Sequence, residues 1–295
     1  AQTGMLDIAI EAFNKSISLK PDYAETYNNK GNVLKDQIKI ESAIEAYKKA
    51  ISLKPDYAEA YSNMGNALQE QGKLNEAIVS YEKAITLKPD YVEAYNNIGN
   101  VLVEQVKLDK AIDVYKKSIS VKPDYAPAYN NLGIALKKKY NIKEAINSYK
   151  KALIINPNYA EAYSNMGIAL QDQGKLGEAI QSFNKAISLK PDLSDTHLNL
   201  SYSLLNSGKL REGFNENEWR WKTNKFIKQL RHFSQPLWNR ENNLKGKRIL
   251  LWSEQGIGDT IMWSSCLSLV SSQAKHCILE CQEKLVPLLK RSFPN

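Results

Sequence analysis

The chain has 295 residues, 43% of them hydrophobic and 24% charged, with a mean hydropathy of −0.47. That composition excludes a disordered or collagen-like chain, and no run approaches the roughly 18 uncharged apolar residues that a membrane helix needs. The net charge of +8 is uneven: residues 222–295 hold 12 Lys and Arg against 5 Asp and Glu, whereas residues 1–221 hold 28 against 27.

At the N-terminus the run to Lys15 has no basic segment ahead of an apolar one, so it is not a signal peptide. The three cysteines, Cys266, Cys277 and Cys281, are odd in number and confined to the last thirty residues, so they make no disulfide framework. This usage points to a reducing compartment, the cytoplasm.

From there the chain repeats. Prolines fall at 21, 55, 89, 123, 157 and 191, each 34 residues after the last, the last five inside Lys54–Tyr57, Lys88–Tyr91, Lys122–Tyr125, Asn156–Tyr159 and Lys190–Leu193. A fixed period of 34 predicts a helix-turn-helix solenoid. With the unit starting at Ala58, the fourth residue is Tyr61, the eighth Gly65, the eleventh Leu68, the twentieth Ala77, the twenty-fourth Tyr81 and the twenty-seventh Ala84. The same frame returns Tyr27, Gly31 and Tyr47; Tyr95, Gly99 and Tyr115; Tyr129, Gly133 and Tyr149; Tyr163, Gly167 and Phe183. Small residues at the eighth and twentieth positions let paired helices approach, and the aromatics are expected to fill the space between neighbouring hairpins. Proline ends each second helix.

These residues resemble the tetratricopeptide repeat (TPR) over residues 1–221. The resemblance implies a mostly α fold, a right-handed α-solenoid with a concave groove. The frame gives a partial repeat over 1–23, complete repeats from Ala24, Ala58, Val92, Ala126 and Ala160, and a capping repeat from Ser194, where His197 replaces the tyrosine and Ser201 the glycine. Ala1 falls at the twelfth position of a repeat, so the chain is expected to be a piece of a longer protein.

The sixth residue of each repeat is Asn29, Asn63, Asn97, Asn131, Asn165 and Asn199, and the ninth adds Asn32, Asn66 and Asn100. Spacing of i and i+3 sets both on one helix face, the face that lines the groove in this repeat family. A carboxamide both donates and accepts, so a ladder of them can hold the main chain of an extended peptide. In this respect the repeats are similar to those of O-linked N-acetylglucosaminyltransferases, where such a ladder holds protein substrates. The alternative is that duplication copied asparagines that make solvated or inter-repeat hydrogen bonds. Lys48, Lys49, Lys116, Lys117, Lys150 and Lys151 sit in second helices and read as a solvated outer face.

Past Gly208 the period fades. Residues 222–247 read as a linker or cap anchored by Trp219, Trp221, Phe233 and Trp238. A buried strand over 248–253, a helix from Asp259 to about 272, a strand over 277–280 and a helix over 283–291 would open a parallel α/β sheet, an incomplete Rossmann-like segment over 248–295. The loop Glu254, Gln255, Gly256, Ile257, Gly258, Asp259 has the glycines of a tight turn before a helix N-terminus, where a phosphate or sugar hydroxyl could sit. A plain β-α turn explains the same residues.

The ordered string from Trp219–Trp221 through Pro236 and Trp238 to this loop resembles bacterial TPR proteins with a GT-B glycosyltransferase-like domain, related to heptosyltransferases and O-GlcNAc transferases. That resemblance implies a nucleotide-sugar donor in the full protein and makes Asp259 the candidate general base; helix capping would also explain this aspartate. The donor-binding domain of such enzymes is absent, so these residues alone are not expected to turn over and no cofactor is expected in this chain. No metal is expected, because His276, Cys277, Cys281 and Cys266 lack a C-x-x-C pair. His197 and His232 lack a nucleophile pattern, and no nucleic-acid partner is expected. The sequence thus predicts a module that binds an extended peptide or protein, as the acceptor-recruiting arm of a glycosyltransferase; the alternative is a structural scaffold.

Overall fold

The structure, a computed structural model, describes residues 2–229, 231, 234–236, 238, 243–252, 264 and 266–293. It divides into two units, Ala1–Leu230 and Arg231–Asn295.

The first unit is a run of antiparallel helix pairs. After α1 (Gln2–Leu19) come α2 (Ala24–Asp36) and α3 (Ile40–Leu53), α4 (Ala58–Glu70) and α5 (Leu74–Leu87), α6 (Val92–Glu104) and α7 (Leu108–Val121), α8 (Ala126–Lys138) and α9 (Ile142–Ile155), α10 (Ala160–Asp172) and α11 (Leu176–Leu189), then α12 (Ser194–Asn206) and α13 (Leu210–Asn217). The first helix of every repeat begins at the residue where the 34-residue frame starts. Second helices end where the frame puts proline, for a local reason. A residue before proline is pushed out of the helical region, and Lys54, Lys88, Lys122, Asn156 and Lys190 all sit at φ between −141 and −128. A turn follows, closed in the second complete repeat by the Tyr91 amide donating to the Lys88 carbonyl at 3.0 Å.

The turn inside each hairpin rests on its fifteenth residue, which takes positive φ: Ile38, Gly72, Val106, Tyr140, Gly174 and Gly208. The next amide reaches back to the helix, as Lys39 does to the Leu34 carbonyl at 2.9 Å, while Ile38 itself donates to Lys35 at 2.8 Å. These are the two bonds of a Schellman C-terminus.

The core repeats with the same period. Tyr47, Tyr81, Tyr115, Tyr149 and Phe183 are buried with the alanines of the twentieth position. Each twenty-fourth-position ring lies on the eighth-position glycine of its own repeat. A Cβ on Gly99 would stand 2.3 Å from Tyr115, and one on Gly65 2.6 Å from Tyr81. No real Cβ contact is that short, so glycine is required by the ring's approach. The hairpin closes over a glycine–aromatic contact.

In the capping repeat His197 takes over from tyrosine. Its Nε2 lies 2.9 Å from the Pro191 carbonyl, the partner type that Tyr27 uses when its hydroxyl donates to Pro21 at 3.1 Å. Its Nδ1 lies 2.5 Å from Glu216, and its ring stacks on Trp219 with centroids 3.8 Å apart. Trp219 belongs to a short 3-10 segment, Glu218–Lys222, and Lys222 Nζ stands 3.6 Å from its ring centroid. This aromatic lid covers the end of the repeat stack.

The second unit, in its described residues, contains β1 (Arg248–Trp252), α14 (Leu267–Gln273), β2 (His276–Glu280) and α15 (Val286–Ser292). The strands pair in parallel from Arg248 with His276 to Trp252 with Glu280. The expected order of strand, helix, strand and helix is present, but two short strands are all the sheet the described residues hold. The strand at 248 was expected to be buried. Only Ile249 is, while the paired Leu250 and Ile278 stay 39% and 55% exposed. Leu250 and Ile278 share the face of the sheet that the described residues leave open. Leu244, Ile249, Leu285 and Leu289 form the unit's buried set.

Candidate functional site

First helices of neighbouring repeats touch directly, α2 with α4, α4 with α6, and so on to α12, whereas second helices hardly meet among the described residues. The first helices therefore lie on the shorter, inner side of the stack, and the asparagine ladder lies on them.

The structure joins these amides into a chain that crosses repeat boundaries. Asn63 Nδ2 donates to Asn28 at 3.0 Å, Asn97 to Asn66 at 3.0 Å, and Asn165 to Asn130 at 3.0 Å. Asn131 spends both N–H groups, on Asn96 at 3.1 Å and Asn100 at 3.0 Å, and accepts from Asn130. Ninth-position oxygens also accept tyrosine hydroxyls from the core: Tyr47 to Asn32, Tyr81 to Asn66 and Tyr115 to Asn100, each at 2.8 Å. The fifth-position asparagines Asn28, Asn96 and Asn130 are buried acceptors in this network, and the sequence reading missed them. Their signal was available, because they precede the sixth-position asparagines directly.

A carboxamide offers two N–H groups and two lone pairs. Asn63, Asn97 and Asn165 each commit one N–H and keep the other together with the oxygen. Asn66 and Asn100 are filled as acceptors but keep both N–H groups. Asn131 is nearly spent. Asn29 is exposed and Asn199 half-buried, and neither joins the network. The inner face thus carries unfilled donors and acceptors on half-buried side chains whose positions are fixed by bonds already made.

One recess opens beside the ladder, about 410 Å³ in volume and lined by Lys35, Asn66, Gln69, Glu70 and Glu104. Lys35 pairs with Glu70 at 3.6 Å, and Gln69 Nε2 donates to Glu104 at 3.2 Å.

The remaining sequence candidates fare differently. Glu254, Gln255, Gly256, Gly258 and Asp259 lie outside the described residues, as do Phe233 and His232. Cys266 is exposed; Cys277 and Cys281 are half-buried, and burial pushes the Cys277 thiol up. Among the described residues no three His, Cys, Asp or Glu side chains gather as a metal site, and no helix is long and apolar enough to cross a membrane.

Comparison with known families agrees with the repeat frame. A TPR repeat model matches residues 31–72, 65–106, 99–139 and 141–174, and tetratricopeptide repeat models match 160–193 and 1–23. The chain belongs to the tetratricopeptide repeat family. Among solved structures, it is similar to one from the APC/C hetero-tetramer Cut9–Hcn1, with 18% identity and a TM-score of 0.65, covering 75% of this chain and 44% of that one. The chain therefore spans under half the length of that relative. Pseudomonas aeruginosa pilF is similar at 17% identity and a TM-score of 0.61, over 68% of this chain and 92% of that one. The Thermus thermophilus TPR protein TTC0263 is similar at 22% identity and a TM-score of 0.53, over 62% and 99%. These likenesses concern the fold. No curated protein matches.

Proposed function

We propose that this chain is a protein-interaction module whose inner face binds an extended polypeptide by its main chain. The observation that carries the reading is the residual capacity of the ladder: Asn63, Asn97 and Asn165 each keep an N–H and an oxygen after their inter-repeat bonds are made. Amides at one-repeat intervals suit a ligand read through its backbone, since every peptide group offers a donor and an acceptor. The rigid network below them lowers the ordering cost of binding.

The test selects dodecapeptides from a displayed random library on the full chain and measures the affinity of the selected peptides for Asn63→Ala/Asn97→Ala. The expected loss is about tenfold or more, with helicity unchanged by circular dichroism. An unchanged affinity would favour an assembly scaffold whose asparagines serve only the stack.

A second, finer reading makes the module the acceptor-recruiting arm of a glycosyltransferase, with a nucleotide-sugar donor bound by residues outside this chain and Asp259 as general base. Its support here is the parallel pairing of β1 and β2 with a helix between them. If it holds, Asp259→Asn in an active protein abolishes sugar transfer and leaves peptide binding intact; retained transfer removes Asp259 from the role.

A further inference from the structure

The repeats are alike in sequence but not in charge. The repeat over 126–159 holds six lysines (Lys137, Lys138, Lys139, Lys143, Lys150 and Lys151) and one acid, Glu144. The repeat before it holds five basic and five acidic residues, and the one after it three and four. Loss of acids contributes at least as much as gain of lysines. Glu at the second position becomes Pro127, the thirteenth-position acid of Asp36, Glu70, Glu104 and Asp172 becomes Lys138, and the Asp of the Pro-Asp turn becomes Asn158.

Two of the six lysines are used by the stack: Lys137 pairs with Asp172 at 3.1 Å, and Lys139 with Asp109. Lys143, Lys150 and Lys151 make no ion pair among the described residues. They are exposed on α9, where Lys143, Asn147, Lys150 and Ile154 recur at three- and four-residue steps along one face. Ile154 is 78% exposed at a position that Ser52, Thr86, Ser120 and Ser188 fill in the other complete repeats.

Across from α9, on α7, stand Lys116 and Lys117. Between the two helices opens a cleft of about 360 Å³, floored by Tyr129, Leu132 and Leu136 and walled by Lys116, Lys151 and Glu144. Lys151 Nζ stands 5.8 Å from the Tyr129 ring centroid.

We infer that this outer cleft is a second binding site, separate from the inner face, for an acidic peptide segment that carries a large apolar side chain at its centre. The apolar side chain enters over Tyr129, and its flanking carboxylates meet Lys116, Lys150 and Lys151. Glu144 sets that register, because a carboxylate pushed into the cleft would meet its charge while one left on the rim would not. Lys116 and Lys151 wall a recess rather than covering a flat surface, which favours a peptide over a lipid headgroup layer. Lysines that only keep the surface solvated require neither the loss of three acids nor an exposed isoleucine beside them.

The test titrates the full chain with a fluorescein-labelled octapeptide, Glu-Asp-Glu-Leu-Phe-Glu-Asp-Glu, by anisotropy at about 0.05 M ionic strength, where surface charges are weakly screened. Lys150→Glu/Lys151→Glu is expected to weaken binding about tenfold or more, whereas Lys48→Glu/Lys49→Glu, the same positions in the first complete repeat, leaves it within about twofold. Replacing Leu-Phe of the probe by Ser-Ser is expected to cost a further loss of similar size. Equal loss in both charge variants, or none in the first, overturns the site. So does binding of phosphatidylserine vesicles that the Lys150/Lys151 variant abolishes while the octapeptide fails to bind, which would assign the face to membranes. All four substitutions are exposed, and circular dichroism verifies that the fold is kept.

Discussion

At the scale of single residues, the first three complete repeats share a three-part contact: an eighth-position glycine, an aromatic ring laid on it, and a ninth-position asparagine that accepts the ring's hydroxyl. The contact is whole in three repeats and broken in the fourth. There Ile134 stands at the ninth position, and the Tyr149 hydroxyl is buried without a partner. The fifth repeat changes both members, to Ile168 and Phe183, and restores consistency. A buried hydroxyl with a partner stabilises by about 1 kcal/mol, and one without costs about 1 kcal/mol or more. Tyr115→Phe should therefore destabilise by about 1 kcal/mol, while Tyr149→Phe should be neutral or stabilising, as read from urea-unfolding midpoints. Equal losses in both would show that the hydroxyls do not contribute through these bonds. The glycine and tyrosine positions were legible in the sequence because size repeats with the period. The pairing of Tyr115 with Asn100 was not, because fifteen residues separate them and their meeting depends on how two helices rotate about each other.

At the scale of elements, the hairpin turn is fixed by backbone hydrogen bonds and tolerates side chains that dislike its geometry. Gly72, Gly174 and Gly208 suit a positive φ, but Ile38, Val106 and Tyr140 occupy the same place at φ 61–62 and are at least 76% exposed. An L side chain pays about 1–2 kcal/mol in the left-handed region, and glycine gives back part of that through greater freedom when unfolded. Ile38→Gly and Val106→Gly are each expected to stabilise by about 0.5 kcal/mol, seen as a rise in thermal midpoint, and a fall would mean that the exposed side chains pack more than their accessibility suggests. This turn was hard to read from sequence, since half its occupants break the glycine rule and the Schellman bonds that enforce it involve no side chain. The strands of the second unit were read nearly to the residue, because apolar runs follow Gly246 and Lys275. Their exposure was not, because a strand's burial is decided by layers elsewhere in the chain.

At the scale of the whole solenoid, four tyrosines placed one repeat apart tie its stability to alkaline pH. Tyr47, Tyr81, Tyr115 and Tyr149 are at most 1% exposed, and burial raises the pKa of each phenol far above its ordinary value near 10. Burial also lifts Tyr125 to about 12. In the unfolded chain these phenols ionise near pH 10, whereas in the folded chain they keep their protons well beyond it. The unfolded state then binds fewer protons than the native one, so stability is intact below pH 10 and falls above it. The slope approaches about 1.4 kcal/mol per pH unit for each tyrosine, or about 5 kcal/mol per unit for the four together. Because each repeat is held by its neighbours, the loss should appear as one cooperative transition above pH 10. Phenolate absorbance at 295 nm and helicity at 222 nm, followed in one titration, check this. The buried tyrosines are expected to ionise in step with the loss of helix. Complete ionisation of all sixteen tyrosines before any loss of helicity would show that the buried rings reach solvent without the repeats coming apart.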